Sequence, residues 1–200
     1  MLIEFIGLPG SGKTTYLKSK IGAKILTREQ IENRKIPMIT RFSFYLKEWR
    51  LISLFTIGIL YNFDFKIKKW YALIIGVQAT LRQYSFVYYC KKKKHGLSII
   101  LDEGLFQRSL SVFSFNDRKY NIYLLKKISK KINSLNIIDS VYCFDLTVEE
   151  SLSRSEKRED GLPFRFQNLK KLELNNKFYI FQRGLIILKE CIKAEIKIIK

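Results

Sequence analysis

The residues best suited to chemistry lie at the start of the chain, in a glycine-rich loop. Residues 7–15, Gly-Leu-Pro-Gly-Ser-Gly-Lys-Thr-Thr, match the pattern G-x-x-x-x-G-K-[ST] between an apolar run and a helical pattern. Such a loop turns consecutive backbone N–H groups towards phosphate oxygens, and the helix start adds partial positive charge. The lysine reaches the β- and γ-phosphates, and the threonine that follows it completes the shell of Mg²⁺. The pattern predicts binding of a nucleoside triphosphate and Mg²⁺ by Gly7, Pro9, Gly10, Ser11, Gly12, Lys13, Thr14 and Thr15.

Two neighbouring carboxylates, Asp102 and Glu103, follow the apolar run 97–101. Ligands of a parallel sheet bind outside the carboxyl ends of its strands, so this pair is expected beside the phosphate-binding loop. Asp102 is the predicted second ligand of Mg²⁺, with Thr14. Glu103 would orient an attacking group or take its proton. The alternative is a pair of solvated loop acids.

Arg154 and Arg158 are four residues apart and therefore share one helix face. Gly161 and Pro163 would end that helix, which favours a lid over residues of about 150–166. Arginines that close over a triphosphate stabilise the charge that develops during phosphoryl transfer. The alternative is an exposed helix on which neighbouring glutamates pair with these arginines.

Short apolar runs alternate with longer helical patterns along the chain. This alternation predicts an α/β fold with three layers: a parallel sheet of about five strands with helices on both faces. Thr147 and Glu150 form a capping box before one of the helices. The predicted strands are 2–6, 23–26, 97–101, 140–144 and 195–199. The first predicted helix starts at residue 13, and the other predicted helices cover 42–61, 68–89, 120–135, 148–157 and 177–194.

The composition suits one cytoplasmic domain over residues 1–200, with 47% apolar residues to form a core. Glu4 interrupts the first apolar run, so we expect no signal peptide. Cys90, Cys143 and Cys191 are far apart and there is one histidine, which argues against a zinc site or a disulfide framework. We expect the three cysteines to be small buried residues in a reducing compartment.

The formal charge of +19 leaves a polyanionic partner open. The lysine run 91–94 is either a solvated surface or a contact for nucleic acid. The most apolar stretch, residues 51–60, is too short to span a bilayer and predicts either a buried helix or an interfacial membrane helix. The aromatic residues between 42 and 90 could form an acceptor pocket or the interface of a homodimer.

The order of these motifs resembles the P-loop nucleoside and nucleotide kinases, particularly the thymidylate-kinase-like group of P-loop NTPases. The resemblance rests on the loop 7–15, the Leu-Thr-Arg-Glu run 26–29, the helix before the third strand, the acids 102–103, and the strand, helix and lid over 141–158. It implies a P-loop NTPase fold whose helical region, about 30–90, binds the phosphoryl acceptor. It also implies acceptor contacts from Arg28, Gln78, Arg82 and Arg108.

The sequence is therefore interpreted as an ATP-dependent small-molecule kinase that uses Mg²⁺. The γ-phosphoryl group would pass to a nucleoside, a nucleotide or a similar hydroxyl or phosphate acceptor. A regulatory ATPase without an acceptor, a polyanion-binding NTPase and an enzyme at a membrane surface are the alternatives. The predicted catalytic residues are Lys13, Asp102, Glu103, Arg154 and Arg158.

Overall fold

A computed structural model describes residues 1–20, 25–26, 37–61, 67–92, 98–101, 103–113, 119–157 and 169–199. Five strands and eight helices lie within these residues. The strands are β1 (Leu2–Gly7), β2 (Ile25–Leu26), β3 (Ser98–Leu101), β4 (Ser140–Phe144) and β5 (Glu195–Ile199). The helices are α1 (Lys13–Lys20), α2 (Met38–Lys47), α3 (Trp49–Tyr61), α4 (Ile67–Lys92), α5 (Leu105–Phe113), α6 (Lys119–Ser134), α7 (Val148–Glu156) and α8 (Lys171–Cys191).

The five strands form one parallel sheet, as expected from the sequence, and their order in the sheet is β2-β3-β1-β4-β5. β1 is the central strand, and all six of its residues are buried. Gly7 at its end is in register with Phe144 at the end of β4. The carboxyl ends of β1, β3 and β4 therefore lie at one edge of the sheet, where a ligand of a parallel sheet binds.

Helices cover both faces of the sheet, to different extents. Successive side chains of a strand point to opposite faces. Ile3 and Phe5 pack on one face with Leu17 of α1. Leu2 and Ile6 pack on the other, in the larger core to which helices α2 to α8 all contribute. Burying each of these aliphatic or aromatic side chains stabilises the fold by about 1.5–3 kcal/mol.

The single helix predicted over 42–61 is wrong, because two helices meet at Glu48. This residue departs from helical geometry at φ −106° and ψ 25°. Its carboxylate is buried and lies 2.9 Å from Nζ of Lys131 on α6. A buried carboxylate needs such a partner, and its partner is 83 residues away in sequence (131 − 48). The local sequence contains no proline that would announce the break.

The helix α5 has no counterpart among the predicted elements. It is short and mixes polar with apolar residues, yet nearly all of it is buried. The hydroxyl groups of its serines form hydrogen bonds with backbone carbonyls of the same helix. Ser109 donates to Phe106 O at 2.7 Å, and Ser111 donates to Gln107 O at 2.9 Å. Polar residues that bond within their own helix can be buried at little cost. Leu105, Phe106, Leu110 and Phe113 recur at helical spacing, so the periodicity of this segment was a signal that could have indicated the helix.

The other boundaries agree with the prediction within a few residues, except that α8 begins at Lys171 instead of 177. The capping box is confirmed: Glu150 N donates to Thr147 Oγ1, and the Glu150 carboxylate accepts from Thr147 N. In α3, Leu51, Phe55 and Ile59 are buried, as the buried-helix interpretation expected. Among the residues described above, no helix is long and apolar enough to cross a membrane.

The cysteines behave as small core residues. Cys90 and Cys143 are buried, and Cys191 is half-buried. Burial raises the pKa of the Cys143 and Cys191 thiols, which disfavours the reactive thiolate.

Candidate nucleotide-binding site

Two positions of the glycine-rich loop have backbone conformations that favour glycine. Gly10 and Gly12 adopt φ values of +78° and +84°, in the left-handed region that favours glycine. Tyr16 N donates to Gly12 O at 2.8 Å, so α1 begins directly at the end of the loop. The loop therefore joins the carboxyl end of the central strand to a helix N-terminus.

The ammonium group of Lys13 lies against the loop itself. Its Nζ donates to Gly7 O at 3.0 Å, to Leu8 O at 2.9 Å and to Ser11 Oγ at 3.1 Å. The positive charge is thus held over the loop backbone. The hydroxyl-bearing Thr14 and Thr15 are exposed in the first turn of α1.

A buried glutamine, Gln107 of α5, fixes the start of the loop. Its side chain accepts from Gly7 N at 2.9 Å and donates to Gly7 O at 3.2 Å. One amide therefore satisfies both backbone groups of Gly7. Sequence analysis missed this residue, since no local pattern connects two positions 100 residues apart.

Replacing Gln107 by leucine should destabilise the protein by about 1–3 kcal/mol, because it leaves a buried backbone N–H without its acceptor. We also expect nucleotide affinity to fall, since Gly7 begins the loop. Urea unfolding and calorimetric titration with ATP measure the two effects. The exposed Gln78 provides the control: Gln78→Leu should change the unfolding free energy by less than about 0.5 kcal/mol. Equal stability of the two variants would contradict the assignment.

The helix α7 packs directly on the other side of the loop. Ser151 Oγ donates to Pro9 O. A Cβ added to Gly10 would lie 2.4 Å from Ser155 Oγ and 2.5 Å from Ser151 O. Gly10 is thus required twice, for its backbone conformation and for this close approach. Neither serine was among the predicted site residues.

Arg154 lies on this same helix and is exposed. Consecutive residues of a helix are about 100° apart, which places Arg154 about 60° from Ser151 around the axis. The predicted lid arginine is therefore carried by a helix that touches the loop.

A buried carboxylate, Glu4, connects β1 to α5. Its Oε1 accepts from Phe106 N at 2.8 Å, which satisfies one of the free N–H groups at the start of that helix. A Cβ added to Gly104 would lie 1.8 Å from this oxygen, so only glycine fits there. Burial raises the pKa of Glu4 to about 8, against hydrogen bonds from Phe106 and Tyr84 that lower it. Because Gln107 follows Phe106, Glu4 helps to position the residue that holds Gly7.

The raised pKa of Glu4 makes stability depend on pH. Below the ordinary value of 4.5 the group is protonated in both states, and above about 8 it is ionised in both. Between these values only the folded protein keeps the proton, so its contribution to stability falls as pH rises, by on the order of 1 kcal/mol per pH unit. Glu4→Gln mimics the protonated acid and removes this dependence. Urea unfolding of both proteins between about pH 5 and 8 should show the variant gaining relative stability as pH rises. A difference in unfolding free energy between Glu4→Gln and the native protein that stays constant over this pH range would contradict the raised pKa of Glu4.

Glu103 and Arg108 form an ion pair beside the end of β3. The Oε2–Nη2 distance is 2.6 Å, with Arg108 largely buried and Glu103 half-exposed. Arg108 Nε also donates to Thr80 Oγ1 at 3.3 Å, and its guanidinium lies against Gly76 of α4. The structure thus brings together an acid predicted to be catalytic and an arginine predicted to bind the acceptor.

The remaining predicted residues are placed differently or are not described. Gln78 and Arg82 are exposed on α4, about 160° around the helix from Gly76 and Thr80 respectively. They share one face with each other but do not join the Glu103–Arg108 pair. Arg28, Asp102 and Arg158 lie outside the described residues.

Among the comparisons with known proteins, only the comparison with solved structures gives matches. No protein-family model matches the chain. No curated protein matches it either. A solved structure of deoxyadenosine kinase from M. mycoides, with the products dCMP and a flexible dCDP bound, aligns at a TM-score of 0.50 and 16% identity. A structure of that enzyme with bound dCTP aligns at 0.50 and 15% identity. Each alignment covers 100% of this chain and 90% of the other.

This chain has the fold of the P-loop nucleoside kinases. The nucleoside kinase fold confirms the architecture expected from the sequence, a parallel sheet between layers of helices. At 15–16% identity the likeness concerns the fold alone. The roles of individual residues in this nucleoside kinase fold therefore rest on the geometry given above.

Proposed function

We propose that this protein is an ATP-dependent kinase that phosphorylates a nucleoside, a nucleotide or a similar hydroxyl or phosphate acceptor. The observation that carries this proposal is the glycine-rich loop at the carboxyl end of β1, with Lys13 on its backbone. Gln107 and α7 hold this loop from two sides. Phosphoryl transfer is catalysed by preorganised N–H groups and a lysine, which stabilise the negative charge of the phosphates.

ATP binding requires Lys13 to exchange its carbonyl partners for phosphate oxygens. The loop carbonyls at 2.9–3.0 Å are neutral acceptors, whereas phosphate oxygens are charged and form stronger bonds with an ammonium group. Residues 7–15 would then surround the triphosphate. Because the loop glycines already hold their left-handed conformations, little backbone ordering remains at binding.

The oxygen donors at this edge suit Mg²⁺, which prefers oxygen ligands. The Thr14 hydroxyl is exposed in the first turn of α1, next to Lys13, and Asp102 follows β3 in sequence. We propose these two residues as the ones that hold the ion. When bound, Mg²⁺ neutralises charge on the β- and γ-phosphates.

The Glu103–Arg108 pair is proposed to face the acceptor. Arg108 is fixed by Thr80 and Glu103, so it orients the Glu103 carboxylate, which is half-exposed and reachable. Glu103 would orient or deprotonate the acceptor hydroxyl. The neighbouring structures contain deoxycytidine nucleotides in a deoxyadenosine kinase, which favours a deoxynucleoside acceptor for this chain too. Arg28, Gln78 and Arg82 are the other proposed acceptor contacts, in a helical region of about 30–90.

Arg154 and Arg158 are proposed to stabilise charge on the transferred phosphoryl group, from a lid over about 150–166. Support comes from the contact between α7 and the loop through Ser151 and Gly10. Closing such a lid excludes water, which suppresses hydrolysis of ATP in the absence of an acceptor. The whole chain, residues 1–200, is proposed to act as one cytoplasmic domain.

An acceptor panel tests the proposal. ADP formation from ATP and Mg²⁺ is measured with each deoxynucleoside, ribonucleoside and nucleoside monophosphate, and products are identified by mass. We expect one class of acceptor to raise ADP formation well above the rate with ATP alone and to gain a phosphoryl group. Slow ADP formation that no acceptor changes would instead favour the regulatory ATPase.

A further inference from the structure

An apolar stripe runs along the outside of α2 and into the first residue of α3. It consists of Met38, Ile39, Phe42, Leu46 and Trp49, and each of these side chains exposes 58–85% of its surface. Such a run amounts to an exposed patch on the order of several hundred Å², at the upper end of what a monomer normally shows. Scattered apolar residues are ordinary on a surface, but a contiguous set at helical spacing indicates a partner.

The stripe is narrow and has cations on both sides. At about 100° per residue, Met38, Ile39, Phe42 and Leu46 occupy an arc of about 100°. Arg41 falls about 60° beyond one edge and Lys47 about 80° beyond the other. Arg50 follows Trp49 and lies 5.6 Å over its indole ring. Lys47 and Arg50 are exposed.

Within the described residues 37–61, no exposed acid accompanies these cations. Glu48 is the only acidic residue between positions 37 and 61. Its side chain is buried and paired with Lys131 on the core side of the helix pair. The face therefore combines apolar side chains with positive charge that no exposed acid of residues 37–61 offsets, which is the composition of a helix that lies in the interface of an anionic membrane.

We propose that the apolar stripe docks this protein on an anionic lipid surface, with α2 lying parallel to the membrane. The stripe enters the boundary of the acyl chains, while Lys47 and Arg50 contact lipid phosphates. Trp49 lies at the depth that tryptophan favours in membranes. This inference goes beyond the proposed kinase activity and does not depend on it.

The charges and side chains of the stripe favour an anionic membrane over two other partners, a second copy of this chain and a nucleic acid. In a symmetric dimer through the stripe, Lys47 and Arg50 of each copy would approach those of the other, and residues 37–61 supply no exposed acid between them. A nucleic acid would satisfy the cations and could stack bases on Phe42 and Trp49, but it would leave the alkyl side chains of Met38, Ile39 and Leu46 in water. An anionic bilayer satisfies both the cations and the alkyl side chains.

Co-sedimentation with vesicles tests the proposal. We expect the full chain to bind vesicles that contain one third phosphatidylglycerol in phosphatidylcholine, and to bind pure phosphatidylcholine far more weakly. Phe42→Glu combined with Leu46→Glu should lower the partition coefficient at least about tenfold. Lys47→Gln and Arg50→Gln should each lower it about fivefold. In a Trp70→Phe background, Trp49 emission should shift to the blue with the anionic vesicles alone.

A matched control separates the stripe from net charge. Leu172 and Ile186 on α8 are also exposed, so Leu172→Glu with Ile186→Glu makes the same change of charge elsewhere. This control should keep at least half of the binding. Equal loss in both double variants would overturn the proposal, as would equal binding to neutral vesicles.

Self-association gives the other decisive outcome. A dimer in sedimentation velocity that the Phe42→Glu, Leu46→Glu variant dissociates, with no vesicle binding by the native chain, would overturn the lipid assignment in favour of a second copy. The Lys13→Ala variant should bind vesicles like the native chain. Failure of the kinase proposal and failure of this one are therefore distinguishable.

Discussion

Lys13→Ala should lower the rate of phosphoryl transfer at least about 10³-fold, because charge stabilisation at the transferred group supplies much of the rate in such enzymes. The structure gives this lysine three acceptors on the loop, Gly7 O, Leu8 O and Ser11 Oγ, so its ammonium is fixed next to the loop amides. Alanine offers no group that could take this place. The measurement is ADP formation with the acceptor that the panel identifies.

The control is Lys18→Ala, in the same helix and exposed. It removes one positive charge from α1 without touching the loop, and its rate should stay within about twofold of the native rate, as for a typical surface change. Urea unfolding of both variants establishes that each is folded, since Lys13→Ala also loses hydrogen bonds. Turnover that survives in folded Lys13→Ala protein would refute the proposed site.

Gly104→Ala should destabilise the protein by about 3 kcal/mol, the upper range for overpacking a buried site. The new methyl group would lie 1.8–2.1 Å from Oε1, Cδ and Cγ of Glu4. The Glu4 side chain is fully buried and bonded to Phe106 N, so it cannot move aside without losing that hydrogen bond. Urea unfolding at neutral pH measures the loss.

A double-mutant cycle with Glu4→Ala identifies the cause. Glu4→Ala removes the carboxyl that the new methyl group strikes, so the double variant should be more stable than the sum of the single losses predicts, by about 1–3 kcal/mol. Additive losses would show that Gly104 is required for another reason. The cycle also reports on α5, since both residues lie at its start.

The sequence determined those features that depend on neighbouring residues. The loop 7–15 was predictable because its glycines, lysine and threonine act within a single turn of chain. β4 and β5 were predicted with the bounds that the structure shows. β4 is a short and mostly buried apolar run, as in the interior of a parallel sheet, whereas β5 alternates charged and apolar residues at the edge of the sheet. The capping box of Thr147 and Glu150 is likewise a local pattern.

The tertiary structure decided what depends on residues far apart in the chain. Gln107 reaches Gly7 because β3 pairs in parallel with β1, and the chain continues from the end of β3 into α5, which carries Gln107. Ser151 supports the loop across an interval of 142 residues.

The contacts of the buried carboxyl groups of Glu48 and Glu4 also depend on residues far apart in the chain. Glu48, at the break between α2 and α3, has its ion-pair partner Lys131 on α6, and the need for glycine at 104 reflects the carboxyl of Glu4. Periodicity reports which face of a segment is apolar, but not which distant group will satisfy a polar atom on that face. Those pairings exist only once the chain has folded, because desolvation makes an unpaired buried group costly and the fold selects its partner.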